Sequence, residues 1–136
     1  MHKDDCIFCR IAQHKAPAEV VYEDDKVIAF KDIHPFMPVH VLVIPKEHFD
    51  GLDDHVPEEV LGRCLHVAAE LAHEFGLERG YRLQVNTGAD GGQTVRHLHL
   101  HVLGGGKMVS PEYQDWGPLA SNAHRFYDAE GHRLSR

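Results

Sequence analysis

No stretch of this chain is both apolar and long enough to span a bilayer: runs such as Val39 to Pro45 are strand-sized and carry a histidine. The N-terminal residues Met1-His2-Lys3-Asp4-Asp5 lack the apolar core of a signal peptide, so a cytoplasmic protein with no membrane partner is expected. Basic residues are in the minority, 14 Lys and Arg against 21 Asp and Glu. A formal charge of −7 with no basic cluster disfavours binding to a nucleic acid backbone, although a small polyanion can still be held by local donors. Cysteine is scarce: three residues cannot all pair, and Cys6-Ile7-Phe8-Cys9 has a spacing better suited to a metal than to a structural disulfide. Repeats, low-complexity segments and linkers are absent. The 136 residues, 43% of them hydrophobic, suit one compact domain with its own core.

The hydrophobic pattern predicts a short helix over Cys6 to Gln13, with the acidic pair Asp4-Asp5 favouring its N-terminus. Val20 to Tyr22 and Val27 to Phe30 read as a hairpin, and a third strand runs from His40 to Pro45. From Pro57 to Gly76 the series Val60, Leu61, Cys64, Leu65, Ala68, Leu71, Ala72 and Phe75 recurs at helical spacing. Cys64, on that stripe, reads as core. Tyr81 to Asn86 and Val95 to Leu103 complete five strands around a glycine-containing loop, Thr87 to Thr94. Short connections between successive strands predict an α+β fold: a mostly antiparallel five-stranded sheet with one short N-terminal helix and one long helix, both on one side.

The most informative stretch is Val95-Arg96-His97-Leu98-His99-Leu100-His101-Val102-Leu103. On a strand, two-residue spacing sends three imidazoles to one face and the apolar residues to the other. Four readings compete. Three surface histidines in a chain with 13 is the bland one, and the strict register disfavours it. A cupin-like metal site needs a carboxylate soon after, whereas Gly104-Gly105-Gly106-Lys107 follows and no acid comes until Glu112. A zinc hydrolase with three histidine ligands needs a bent strand, because alternate Cα atoms lie about 6.6 Å apart. The fourth reading is nucleophilic catalysis by histidine at phosphorus, for which a neutral imidazole with an ordinary pKa of about 6.5 is ready at neutral pH.

These residues resemble the histidine triad (HIT) family, and specifically its Hint-like branch of the zinc-containing bacterial type. The likeness is carried by His97 to Leu103, Phe30-Lys31-Asp32-Ile33, Pro38 to His48, Tyr81 to Asn86 and Gly91 to Val95, so it covers roughly positions 6 to 108. The resemblance implies hydrolysis of purine nucleoside phosphoramidates, such as adenosine phosphoramidates, through a covalent nucleotidyl-histidine. The alternatives are a dinucleoside polyphosphate hydrolase and a non-catalytic nucleotide-binding regulatory module. It also implies a HIT-like catalytic domain over 1–110 and a homodimer formed through the long helix and a sheet edge. The tail, 111–136, departs from the family by reaching Trp116-Gly117-Pro118 late, and it is expected to pack on the domain or on the dimer partner.

The same resemblance distributes roles over the residues. His99 is the expected nucleophile, its second ring nitrogen donating to a backbone carbonyl, and His101 contacts the phosphate and leaving group. Thr94 stands where the family often has serine, and His40 lines the phosphate side of the pocket. The nucleoside is expected against Ile7, Phe8, Ile11, Phe30, Ile33 and Leu42, whose alternative reading is ordinary core packing. Asp32 is expected on the ribose hydroxyls, or as the cap of the following turn. Asn86, Gly92, Gln93 and Thr94 are expected to cradle the phosphate, glycine allowing close approach of backbone N–H groups. Cys6, Cys9, His48 and His97 would form a Cys2His2 zinc site, as in some bacterial members, with all four tetrahedral positions filled. Such a zinc is structural, and by the family comparison the chemical step needs no metal.

Overall fold

A computed structural model describes residues 3–107. Its elements are α1 (Ile7–Ala12), β1 (Val20–Glu23), β2 (Val27–Lys31), β3 (Val39–Pro45), α2 (Glu58–Glu74), β4 (Arg82–Gln84) and β5 (Leu100–Gly104). The strands form one antiparallel sheet in the order β1-β2-β3-β5-β4, the α+β architecture expected. These elements lie within a compact unit that closes at Gly105. The expected tail over 111–136 is outside the described residues.

The helices do not share one side of the sheet, as the sequence pattern suggested. Alternation along the central strands separates two cores. Val27, Ala29, Val41, Val43, Leu100 and Val102 face α2, which contributes Cys64, Val67, Ala68, Leu71 and Ala72. Ile28, Phe30, Leu42 and Ile44 face the opposite way and are covered by Phe8, Ile11 and Ala12 of α1. Both faces of β2 and β3 are therefore apolar, and each needs its own helix. On α2 the buried stripe includes Val67 and omits Leu65, which is half exposed, because Leu65 sits about 100° around the helix from Cys64. Burial pushes the Cys64 thiol up to about 12, as fits a core residue.

Local chemistry explains where the helices start and stop. α2 follows Pro57 and opens on Glu58 and Glu59, favourable at the positive end of the helix dipole. It ends with Gly76 at φ +73°, where the Gly76 and Leu77 amides return to the carbonyls of His73 and Ala72. α1 is capped differently from expectation. Cys6 Sγ accepts from the Cys9 amide, while Asp4 and Asp5 lie in the preceding turn and no acid occupies the first helical turn. Arg63 of α2 donates from Nε and Nη2 to Asp24, which also caps the β1–β2 turn through the Lys26 and Val27 amides.

The histidine run is only partly strand. β5 begins at Leu100, and the residues from Val95 to His99 leave the ladder. The reason lies opposite: Val39 to Val43 pair with Gly104 to Leu100, and β3 then ends at Pro45, which has no N–H to extend a ladder. The Leu98 amide bonds the Phe49 carbonyl instead.

Candidate active site and metal centre

Because His101 lies opposite Leu42 in the register, it shares the α1 face of the sheet. The His97 and His99 rings meet that face from the irregular segment, edge-on to Phe8 at 6.0 and 5.2 Å between centroids. Phe8 in turn packs edge-on to Phe30 at 5.4 Å, and His99 lies 5.0 Å from His101. The expected apolar residues divide into two groups. Phe8, Ile11, Phe30 and Leu42 are buried core, whereas Ile7 is half exposed and Ile33 is 83% exposed on the loop after β2. Only the exposed pair is clear of the core.

His99 is buried, and its Nδ1 donates to the His97 carbonyl at 2.7 Å. That bond fixes the tautomer and leaves the lone pair on Nε2. Burial lowers its pKa from the ordinary value, with the His97 carbonyl and Asp32 opposing, so the ring is neutral at pH 7. His101 is held further down, at about 4, by burial and by the neighbouring His99 and His40 rings. His40 Nε2 lies 2.9 Å from His101 Nδ1, and the Phe36 amide donates to His40 Nδ1 at 3.0 Å. Of the two readings of Asp32, the cap is seen: one carboxylate oxygen accepts from the His34 amide at 2.7 Å, while the other lies 3.5 Å from His40 Nε2.

In the glycine-containing loop, the Gly92 and Gln93 amides are spent inside the turn on the Ala89 and Gly88 carbonyls. The Gln93 side chain is likewise committed to backbone, donating to the carbonyls of Asp50 and Val95 and accepting from the Gly88 amide. It braces the loop. Gly91 has no room for a side chain, since a Cβ there would sit 2.4 Å from the Thr87 carbonyl oxygen. The Asn86 amide reaches to about 4.0 Å from where a Gly92 Cβ would be, which puts it against the loop. Thr94 lines a cleft of about 350 Å³ together with Ile7, Cys6, His48 and Arg96.

Cys6, Cys9, His48 and His97 bring one ligand atom each to within 4.8 Å of the others. Cys6 Sγ to His97 Nδ1 is 3.3 Å, Cys9 Sγ to His48 Nδ1 is 3.2 Å, and Cys9 Sγ to His97 Nδ1 is 3.5 Å. Ligands of a tetrahedral zinc with sulfur at 2.3 Å and nitrogen near 2.05 Å stand about 3.6 Å apart, so the donor set fits that ion. Each imidazole is also turned for the task. His97 Nε2 donates to the Pro45 carbonyl at 2.8 Å and His48 Nε2 to the Asp50 carboxylate at 2.7 Å, which leaves both Nδ1 lone pairs facing the sulfurs. Burial pushes the Cys9 thiol up to about 11, so a cation is needed to hold it as a thiolate at neutral pH. Sequence reading missed Asp50, although a carboxylate two residues after a candidate ligand was the available signal. Lys3 Nζ lies 3.6 Å from Asp50 Oδ1, and Arg96 Nη2 lies 3.6 Å from Oδ2.

Residues 13–108 match the model of the HIT domain. The chain belongs to the HIT family. It is 48% identical to protein HitA of Neisseria gonorrhoeae over 103 residues, covering 74% of this chain and 96% of that protein. A 14 kDa zinc-binding protein of Zea mays is 46% identical over 112 residues, with 77% of this chain and 85% of the relative covered. Among solved structures, the HIT family hydrolase of Legionella pneumophila Philadelphia 1 superposes with a TM-score of 0.76 at 45% identity, covering 84% of this chain and 99% of that one. A hydrolase of the HIT kind is therefore the activity class to which this fold and its histidine cluster belong. His99, His101, His40 and Asp32 converge on the α1 side of the sheet.

Proposed function

We propose that this HIT protein hydrolyses the P–N bond, or a related bond, of purine nucleoside phosphoramidates such as adenosine phosphoramidates. The observation that carries the reading is the His99 Nδ1–H bond to the His97 carbonyl, which leaves Nε2 unprotonated in a buried ring. His99 Nε2 attacks the α-phosphorus, a P–Nε2 bond forms, and the bond to the leaving nitrogen breaks. The amine departs after taking a proton that solvent supplies through the Thr94 hydroxyl. Water then attacks the nucleotidyl-histidine, releases the nucleoside monophosphate and returns the proton. Throughout, the His97 carbonyl stabilises the cationic His99 ring, while His101 Nε2 donates to the phosphoryl group.

The nucleoside rests on Ile33 and Ile7 at the exposed rim, over the buried Phe8, Ile11, Phe30 and Leu42, with the ribose hydroxyls at Asp32. Asn86 and Thr94 hold the phosphate, beside a turn that the Gly92 and Gln93 amides close. Cys6, Cys9, His48 and His97 would hold a zinc that ties α1 to the triad segment, and with four protein ligands it would have no position left for substrate. The protein works as a homodimer in the cytoplasm, pairing through α2, where Leu65 is exposed, and through β4, an edge strand among the described residues, beside the exposed Tyr81. The test is His99→Ala, expected to lower turnover of an adenosine phosphoramidate by at least ~10⁴-fold while nucleoside monophosphate binding and the fold persist. Near-normal turnover in the folded variant, or faster cleavage of dinucleoside polyphosphates by the native protein, overturns the assignment.

A further inference from the structure

Asp32, His40 and His101 approach one another closely enough to suggest a cation site, but the hydrogen bonds around them say otherwise. A backbone amide can only donate, so the Phe36 N–H at 3.0 Å forces His40 Nδ1 to accept. A neutral His40 must then carry its proton on Nε2, the atom a cation would need bare. Burial lowers the His40 pKa, with Asp32 opposing, which favours that neutral form. His40 Nε2–H faces His101 Nδ1 at 2.9 Å, and Asp32 stands farther off at 3.5 Å. His101 Nδ1 is thereby made an acceptor, and its proton is driven to Nε2. That atom is buried and has no hydrogen-bond partner among the described residues.

We infer that the backbone amide of Phe36 sets the direction of a three-member hydrogen-bond chain, from Phe36 N–H through His40 to His101, so that His101 presents a hydrogen-bond donor at Nε2. Phe36 is a positioning residue, acting through His40, and its role belongs to its main chain. The ring itself is 71% exposed and takes no part. His101 then donates to an anionic phosphoryl oxygen without ionising, a fixed dipole already aimed before substrate arrives. Reversed, the chain would offer that oxygen a lone pair. The catalytic consequence rests on the phosphoramidate reading; the order of the tautomers does not.

Long-range proton–nitrogen correlation spectra of the zinc-loaded, nitrogen-15-labelled full chain near neutral pH separate protonated ring nitrogens from bare ones, with His40→Asn and His101→Asn used for assignment. In the native protein His40 and His101 are both expected to be protonated on Nε2 and bare on Nδ1. Phe36→Ala, which keeps the amide, retains that pattern. Phe36→Pro removes the amide, and there both rings are expected to populate the other tautomer and kcat to fall by about tenfold with KM little changed. A native His40 protonated on Nδ1, or Phe36→Pro with the native pattern, overturns the inference. If Phe36→Pro does not fold, the native spectrum decides alone. The expected tautomers in a protein that turns over no phosphoramidate uphold the chain and overturn the substrate assignment.

Discussion

Replacing His97 with alanine separates the two halves of the histidine run. The side chain is fully buried, donates from Nε2 to the Pro45 carbonyl, turns Nδ1 to both cysteines and packs edge-on to Phe8 and His48. Truncating a large buried side chain leaves a cavity costing about 2–4 kcal/mol, and loss of the donor to Pro45 adds about 1 kcal/mol. The sum, about 3–5 kcal/mol, is a large part of the roughly 5–15 kcal/mol that holds a domain together, before the lost metal ligand is counted. At about 4–8 °C per kcal/mol, the melting temperature should drop by at least roughly 12 °C. Zinc measured on the purified variant should fall well below one per chain. The acceptor of the His99 bond is the His97 main-chain carbonyl, which the substitution leaves in place. Turnover by the folded fraction, assayed cold, should therefore fall much less than in His99→Ala. Unchanged melting and zinc content with activity abolished would refute the division of labour.

Asp50→Asn keeps an acceptor for His48 Nε2 but removes its charge, so zinc affinity measured against a chromophoric chelator should weaken by about 10–100-fold without unfolding; an unchanged affinity would show that His48 needs no carboxylate behind it. Gly91→Ala places a Cβ against the Thr87 carbonyl, and the loop must shift at a cost of about 1–3 kcal/mol, read in a urea melt and in a raised KM. Native melting and KM in that variant would mean the loop yields freely. His101 has a folded pKa of about 4, below its unfolded value near 6.5, so the unfolded chain binds the extra proton first. Its contribution to stability is present above about pH 6.5 and lost as the pH falls through 4. His101→Asn should accordingly flatten the acid limb of stability against pH, and an identical limb would contradict the depressed pKa.

Much of this molecule can be read from local pattern. Short apolar runs bounded by turn residues marked β2 and β3, helical recurrence marked α2 between Pro57 and Gly76, and the two-residue spacing of His97, His99 and His101 marked the site. What escaped depends on partners remote in sequence. The unbroken apolar runs of β2 and β3 do not say which helix covers which face, and only packing sent α1 and α2 to opposite sides. The histidine run reads as one strand, yet Pro45, some fifty residues earlier, ends the partner strand and releases Val95 to His99 from the ladder.

The sequence by itself determined the chemistry available: imidazoles in register, a Cys-x-x-Cys pair and a glycine loop, because residue type and periodicity are properties of the chain alone. Only the tertiary structure decided how each histidine is wired, because a ring's tautomer depends on what meets its second nitrogen. Pro45 and Asp50 turn His97 and His48 toward the cysteines, the His97 carbonyl bares Nε2 of His99, and the Phe36 amide orders His40 and His101. Those partners are main-chain atoms in all but one case, and a main-chain atom has no signature in the sequence.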